Sequence, residues 1–167
     1  MRAALAMLGL AALLTACGDA PKGATRGRLA PEIAVLDGAD ENVRLADHQG
    51  KAVLVSFWFT GCGPCTAELP VLDAFLRAHG ADKVAILPVN MVDDAATIRA
   101  TYRRLGLENL PILRDSVHIT TRRYGVSGAP TNFLIDSRGI VVERVDGALD
   151  HAALENRLLP LVRREPS

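Results

Sequence analysis

Trp58-Phe59-Thr60-Gly61-Cys62-Gly63-Pro64-Cys65 decides the reading of this chain. Two thiols separated by two residues, one of them proline, suit reversible disulfide chemistry. The run leading into them, Ala52 to Phe59, is rich in β-branched and aromatic residues and predicts a buried strand. Behind them a helix is expected to start near Cys62. Pro64 sits just inside that start, where a missing N–H is no loss, and Leu69, Leu72, Phe75 and Leu76 recur at helical spacing. The thiols thus fall where a strand hands over to a helix. Cys62 takes the electropositive end, whose free N–H groups and dipole favour the thiolate, the form of sulfur that attacks a disulfide. Cys62 is the expected nucleophile, and Cys65, one turn deeper, the resolving thiol. A zinc half-site or a static bridge would use the same spacing, but four-ligand zinc needs a second Cys/His pair and none stands at ligand spacing.

Around this motif, strands and helices alternate. Ile33 to Leu36 and Val43 to Leu45 flank the turn-rich Asp37 to Asn42 and predict a hairpin before the active-site strand. Val84 to Val92 is a second buried-type run. Asp93 and Asp94 are acidic starters for a helix over Ala95 to Leu105. Leu110 to Leu113 predicts a short strand, with Ser116 capping a helix that Gly125 closes after Tyr124. Asn132 to Ile135 and Ile140 to Val142 pair across Asp136 to Gly139, and Asp150 caps a last helix on Leu154, Leu158 and Leu161, bent at Pro160. The pattern predicts an α/β fold, a mixed sheet covered on both faces.

The chain has 167 residues, 49% of them apolar, which is one domain by size with enough apolar surface for a two-sided core. Lysine plus arginine balance aspartate plus glutamate at 19 each, so net charge points to no nucleic-acid partner. Met1-Arg2 and the apolar run Ala3 to Leu14 read as an export signal too short for a comfortable membrane span. Its end, Leu14-Thr15-Ala16-Cys17, resembles the bacterial lipobox. The expected organisation is a signal peptide over 1–16, lipid on Cys17, a flexible tether over 17–28 with a reach on the order of 20 Å, and a folded domain over 29–167. An ordinary secretory signal or a short uncleaved anchor is the alternative. Export puts the thiols at the periplasm-facing membrane surface, in an oxidising compartment where a dithiol stays reduced only if a membrane donor resupplies electrons.

The Trp-x-x-x-Cys-Gly-Pro-Cys pattern resembles the thioredoxin superfamily, and Glu68-Leu69-Pro70 resembles its membrane-tethered TlpA/ResA-like branch of thiol-disulfide reductases. Gly128-Ala129-Pro130-Thr131, followed by Asn132-Phe133-Leu134-Ile135, resembles the segment in which that family sets a cis-proline opposite the thiols. The similarity covers roughly residues 29 to 163. It implies a thioredoxin-like sheet with an N-terminal hairpin and a central helix-strand insertion. It also implies that Pro130 covers the sulfurs and that Ala129 offers its backbone to substrate. Spacing puts Glu68 on the helical face of Cys65, where a carboxylate either moves the resolving thiol's proton or complements the helix dipole; the resemblance favours the first. Two departures flank the sulfur. Gly61 stands where most members have a second tryptophan, which should leave Cys62 more open, and Ser56 stands where cytosolic thioredoxins have a buried aspartate.

The resemblance implies reduction of protein disulfides by mixed-disulfide exchange, without cofactor or metal, on apocytochrome c or copper-site proteins. A disulfide-forming oxidase, a thiol peroxidase and a copper chaperone using Cys62 and Cys65 as soft ligands are the alternatives. His48, His79, His118 and His151 are scattered and read as surface or packing residues.

Overall fold

The computed structural model describes residues 23–162. In chain order it has β1 (Val35–Leu36), β2 (Asn42–Val43), a 3-10 turn (Leu45–His48), β3 (Ala52–Trp58), α1 (Gly63–His79), β4 (Val84–Asn90) and α2 (Ala95–Leu105). Then follow β5 (Leu113–Arg114), α3 (Ile119–Tyr124), β6 (Thr131–Ile135), β7 (Val141–Asp146), α4 (His151–Arg157) and α5 (Leu159–Val162). The strands form one mixed sheet in the order β2-β1-β5-β4-β3-β6-β7. β3, β4 and β5 run parallel, while β6 is antiparallel to β3 and β7 to β6. The expected α/β architecture is present, with the hairpin at one edge and α2 and β5 in the central segment.

Each strand of the pair β3/β6 feeds two cores, because successive side chains point to opposite faces. Leu54 and Trp58 of β3 join Leu134 of β6 against α1 and α4, together with both cysteines. Val53, Val55 and Phe57 join Phe133 and Ile135 against Ile33, Val35 and Tyr124 on the other face. There Phe57, Tyr124 and Phe133 pack as a triad with ring centroids 5.0 to 5.9 Å apart. Trp58 is a core residue: it is fully buried, stacks on Tyr102 and donates its indole N–H to the Pro88 carbonyl at 3.2 Å.

Several expected boundaries move, each because a side chain takes a backbone donor. β2 stops at Val43 because the Glu32 carboxylate accepts the N–H groups of Leu45 and Ala46. Asp73, on α1, accepts from the N–H groups of Glu108, Asn109 and Leu110, so the expected strand over 110–113 begins only at Leu113. Burial pushes the Asp73 carboxyl up, but the bonds from Asn109, Leu110 and Glu108 outweigh it and hold the group below its ordinary value. Ser116 does not cap α3; the Asp115 carboxylate does, accepting from the N–H groups of Thr120 and Thr121 at 3.2 and 2.7 Å. The last helix divides at Leu158 into α4 and α5 instead of bending, since Pro160 lacks an N–H to continue the ladder.

The expected tether does not reach Arg28. Ala24 donates to the Tyr124 carbonyl at 3.3 Å, Gly27 donates to Val141 at 2.8 Å, and Val141 donates back to Arg28 at 2.9 Å. Residues 24–28 are therefore docked on the domain. The signal peptide, Cys17 and residues 17–22 lie outside the described residues, as does the chain after Val162. Among the described residues no helix is long and apolar enough to cross a membrane.

Candidate active site

β3 delivers the chain to the site and α1 begins it. Cys62 is the N-cap of α1, in extended conformation, and Pro64 occupies the first turn. Cys62 and Cys65 are joined as a disulfide. The Cys62 sulfur accepts the Cys65 backbone N–H at 3.2 Å, so a helix-terminal donor aims at this sulfur. An N–H so placed stabilises negative charge on the sulfur it faces. Cys65 is fully buried and Cys62 is 7% exposed. The openness expected from Gly61 is not found in this state: the Phe59 ring lies where a Gly61 side chain would start, 3.3 Å from an ideal Cβ.

Pro130 opens β6 beside the sulfurs. The Ala129–Pro130 peptide is cis, and the Ala129 carbonyl lies 3.6 Å from the Cys62 sulfur. The bridge has no S–H, so in this state the approach is a contact; a reduced Cys62 thiol has its acceptor there. Opposite, Asp93 takes a different part from the helix starter expected of it. Its carboxylate accepts the Thr60 N–H at 2.8 Å and the amide of buried Asn90 at 2.9 Å, fixing the loop before Cys62, while Asp94 alone caps α2 through Thr97.

Glu68 is 2% exposed, so the surface dipole role does not describe it. Its Oε1 accepts the Asn132 amide at 2.8 Å and the Leu149 N–H at 2.7 Å, and its Oε2 faces the Ser56 hydroxyl at 3.4 Å. Burial pushes the Glu68 carboxyl above the ordinary carboxylate range, and the bonds from Leu149, Asn132 and Ser56 pull it back only in part. A carboxyl so placed holds its proton nearer neutral pH than a surface glutamate does. Sequence reasoning found Glu68 but not its partners. The signal was present: Ser56 and Asn132 are polar residues in apolar runs, and they stand directly opposite each other in the β3/β6 register.

His79 and His151 approach Glu155 at 3.0 and 3.9 Å, and burial followed by the Lys51 charge lowers the pKa of His48. Among the described residues no three His, Cys, Asp or Glu side chains converge as a metal set.

A helix-capping cysteine, disulfide-linked into the first turn and faced by the cis Ala129–Pro130 peptide, at a strand–helix junction defines a thiol-disulfide oxidoreductase of thioredoxin type. The AhpC/TSA family model matches residues 26–144, and the chain belongs to that thioredoxin-like family as a ResA-like member. It is 32% identical over 132 residues to the thiol-disulfide oxidoreductase ResA of Geobacillus kaustophilus, covering 79% of this chain and 75% of the relative. A crystal structure from Chlorobium tepidum, assigned to the thiol:disulfide interchange protein DsbE, superposes with a TM-score of 0.75 at 29% identity, over 84% of this chain and 99% of that one. The exposed lipoprotein thioredoxin Etrx1 of Streptococcus pneumoniae superposes with a TM-score of 0.68 at 28% identity, over 78% and 100%.

Proposed function

We infer that this oxidoreductase is a lipid-tethered reductase of protein disulfides at a periplasm-facing bacterial membrane surface. The observation that carries the reading is the Cys62 sulfur at the N-terminus of α1, within 3.2 Å of the Cys65 N–H and 3.6 Å of the Ala129 carbonyl. The Cys62 thiolate attacks one sulfur of a substrate disulfide, forming a mixed disulfide and expelling the other sulfur, which takes a proton as it leaves. Glu68 accepts the proton of Cys65. Cys65 then attacks the Cys62 sulfur, closes the Cys62–Cys65 bond and releases the second substrate thiol, with two electrons passed to the substrate. A membrane donor of two electrons resets the pair. Only Gly63 and Pro64 separate the cysteines, and no histidine is there to stabilise the thiolate further, which favours a reductant over a strong oxidant. Cysteines of apocytochrome c or of copper-site proteins are the substrates this branch suggests.

Leu14 to Cys17 supports the lipid anchor, and Etrx1 is itself described as a lipoprotein. With the docked segment beginning at Ala24, residues 17–22 span at most about 20 Å fully extended. The domain then works close against the lipid headgroups. Cys17→Ser is expected to move the protein from the membrane to the soluble fraction while exchange continues, tested by detergent partitioning and intact mass; unchanged partition and lipid mass would refute the anchor. Combining Cys17→Ser with Cys65→Ser should accumulate mixed disulfides through Cys62, and mass spectrometry of the trapped peptides identifies the substrate. Peroxide consumption without any protein thiol, or stoichiometric copper on the anaerobically purified dithiol without disulfide turnover, would replace the reductase with a peroxidase or a copper chaperone.

A further inference from the structure

We propose that Asn132 is a positioning residue for proton transfer at Cys65, dividing the two oxygens of Glu68 so that one is anchored and the other is left to carry the proton. The inference rests on the proton role given to Glu68 above. Oε1 is anchored by two short bonds, 2.8 Å from the Asn132 amide and 2.7 Å from the Leu149 N–H. Oε2 has only the Ser56 hydroxyl at 3.4 Å, a weak and long approach. A proton therefore binds Oε2 at less cost than Oε1. The carboxyl cannot rotate to exchange them without breaking both short bonds.

Asn132 is itself committed to donating. Its second amide hydrogen goes to the Gly147 carbonyl at 3.0 Å, which fixes which end of the amide faces Glu68. Its Oδ1 is buried with no partner among the described residues. A buried acceptor left unpaired is a destabilising arrangement, so the site keeps the amide for its donors. The groups facing Glu68 are the Ser56 hydroxyl from β3, the Asn132 amide from β6 and the Leu149 N–H ahead of α4. Cys65 lies on its own helix. No ion pair to Glu68 exists among the described residues, so in the disulfide state hydrogen-bond donors and burial set its proton affinity.

Removing a donor from a carboxylate disfavours its ionised form, so losing the Asn132 amide should raise the pH at which Glu68 ionises. The test uses the full chain carrying Cys17→Ser, with Asn132→Leu, Glu68→Gln and the two combined. Carboxyl carbon NMR on selectively labelled glutamate reads the titration of Glu68, and stopped flow reads the pH profile of mixed-disulfide release by Cys65. Asn132→Leu should move both the Glu68 titration and the acid limb of the profile upward by about one pH unit, with about a tenfold loss of rate on the acid side. In the Glu68→Gln background the same substitution should change the release rate by less than about twofold. An unmoved titration in folded Asn132→Leu, or an equal loss in both backgrounds, overturns the proposal. Where circular dichroism shows Asn132→Leu unfolded, Asn132→Ala is read by the same criteria. Should Glu68→Gln alone leave release unchanged, the proton role of Glu68 falls and that of Asn132 with it. A slowed Glu68→Gln beside an unmoved Asn132→Leu strikes Asn132 alone.

Discussion

β3 and β6 are shared by two unlike faces of the same sheet. Toward α3 the alternate residues Val53, Val55, Phe57, Phe133 and Ile135 are all apolar and close around the triad of Phe57, Tyr124 and Phe133. Toward α1 the intervening positions include Ser56 and Asn132, paired in register and turned to buried Glu68, which follows Cys65 on α1. A buried carboxylate and amide give up packing energy that an apolar pair would supply, and they persist only where every donor and charge has a use. Both faces carry apolar core, and only the α1 face carries the thiol chemistry as well. A slip of one residue in the β3/β6 register would exchange them.

The sharpest break of this comparison is Cys62→Ser, which should reduce exchange to the uncatalysed background in an insulin-reduction assay, while Cys65→Ser still forms mixed disulfides. Equal trapping by both variants would remove the division between attacking and resolving thiols. On the other face Phe133→Ala should cost about 3–5 kcal/mol in urea unfolding, with the exchange rate of the folded protein kept. A matching loss of rate would mean that the faces are not separable.

Glu68→Gln should slow exchange on the order of tenfold to a hundredfold, and it should change the pH dependence of stability. An acid whose folded pKa is raised lowers stability as pH rises through that interval; Asp73 and Asp136, both held low, contribute stability that is lost as pH falls. Glu68→Gln should thus stabilise the protein at neutral and higher pH and leave the acid-side loss in place, measured by urea midpoints across pH. A neutral-pH loss of stability would contradict a carboxyl that pays for burial. Ser56→Ala removes only the 3.4 Å contact and should change stability by less than about 1 kcal/mol.

The thiol site was legible because its signal is local. Cysteine spacing, Pro64 and the apolar run of β3 lie within one stretch, and they set strand, helix and cysteine pair together. Gly128 to Thr131 added the facing proline by resemblance. Boundaries set by distant side chains were not legible: Asp73 is 37 residues from the Leu110 N–H it accepts, and Glu32 is 13 from that of Leu45. Neither acid sits at a cap position of the segment it shapes. The docking of residues 24–28 was hidden for a similar reason, since small and polar residues that read as a linker can still pair by backbone with β7. Asn132 was visible only as a polar residue in an apolar run, whose meaning depends on knowing that Ser56 stands opposite.

The most direct test of a reducing dithiol at Cys62 and Cys65 is its equilibrium with glutathione buffers, read by alkylation and mass. The account predicts one two-electron transition at about −200 mV or lower, with Cys62 the more reactive thiol in the reduced protein. A potential near about −120 mV, the range of a strong oxidant, would contradict the reductase while leaving the fold and the thiol chemistry in place.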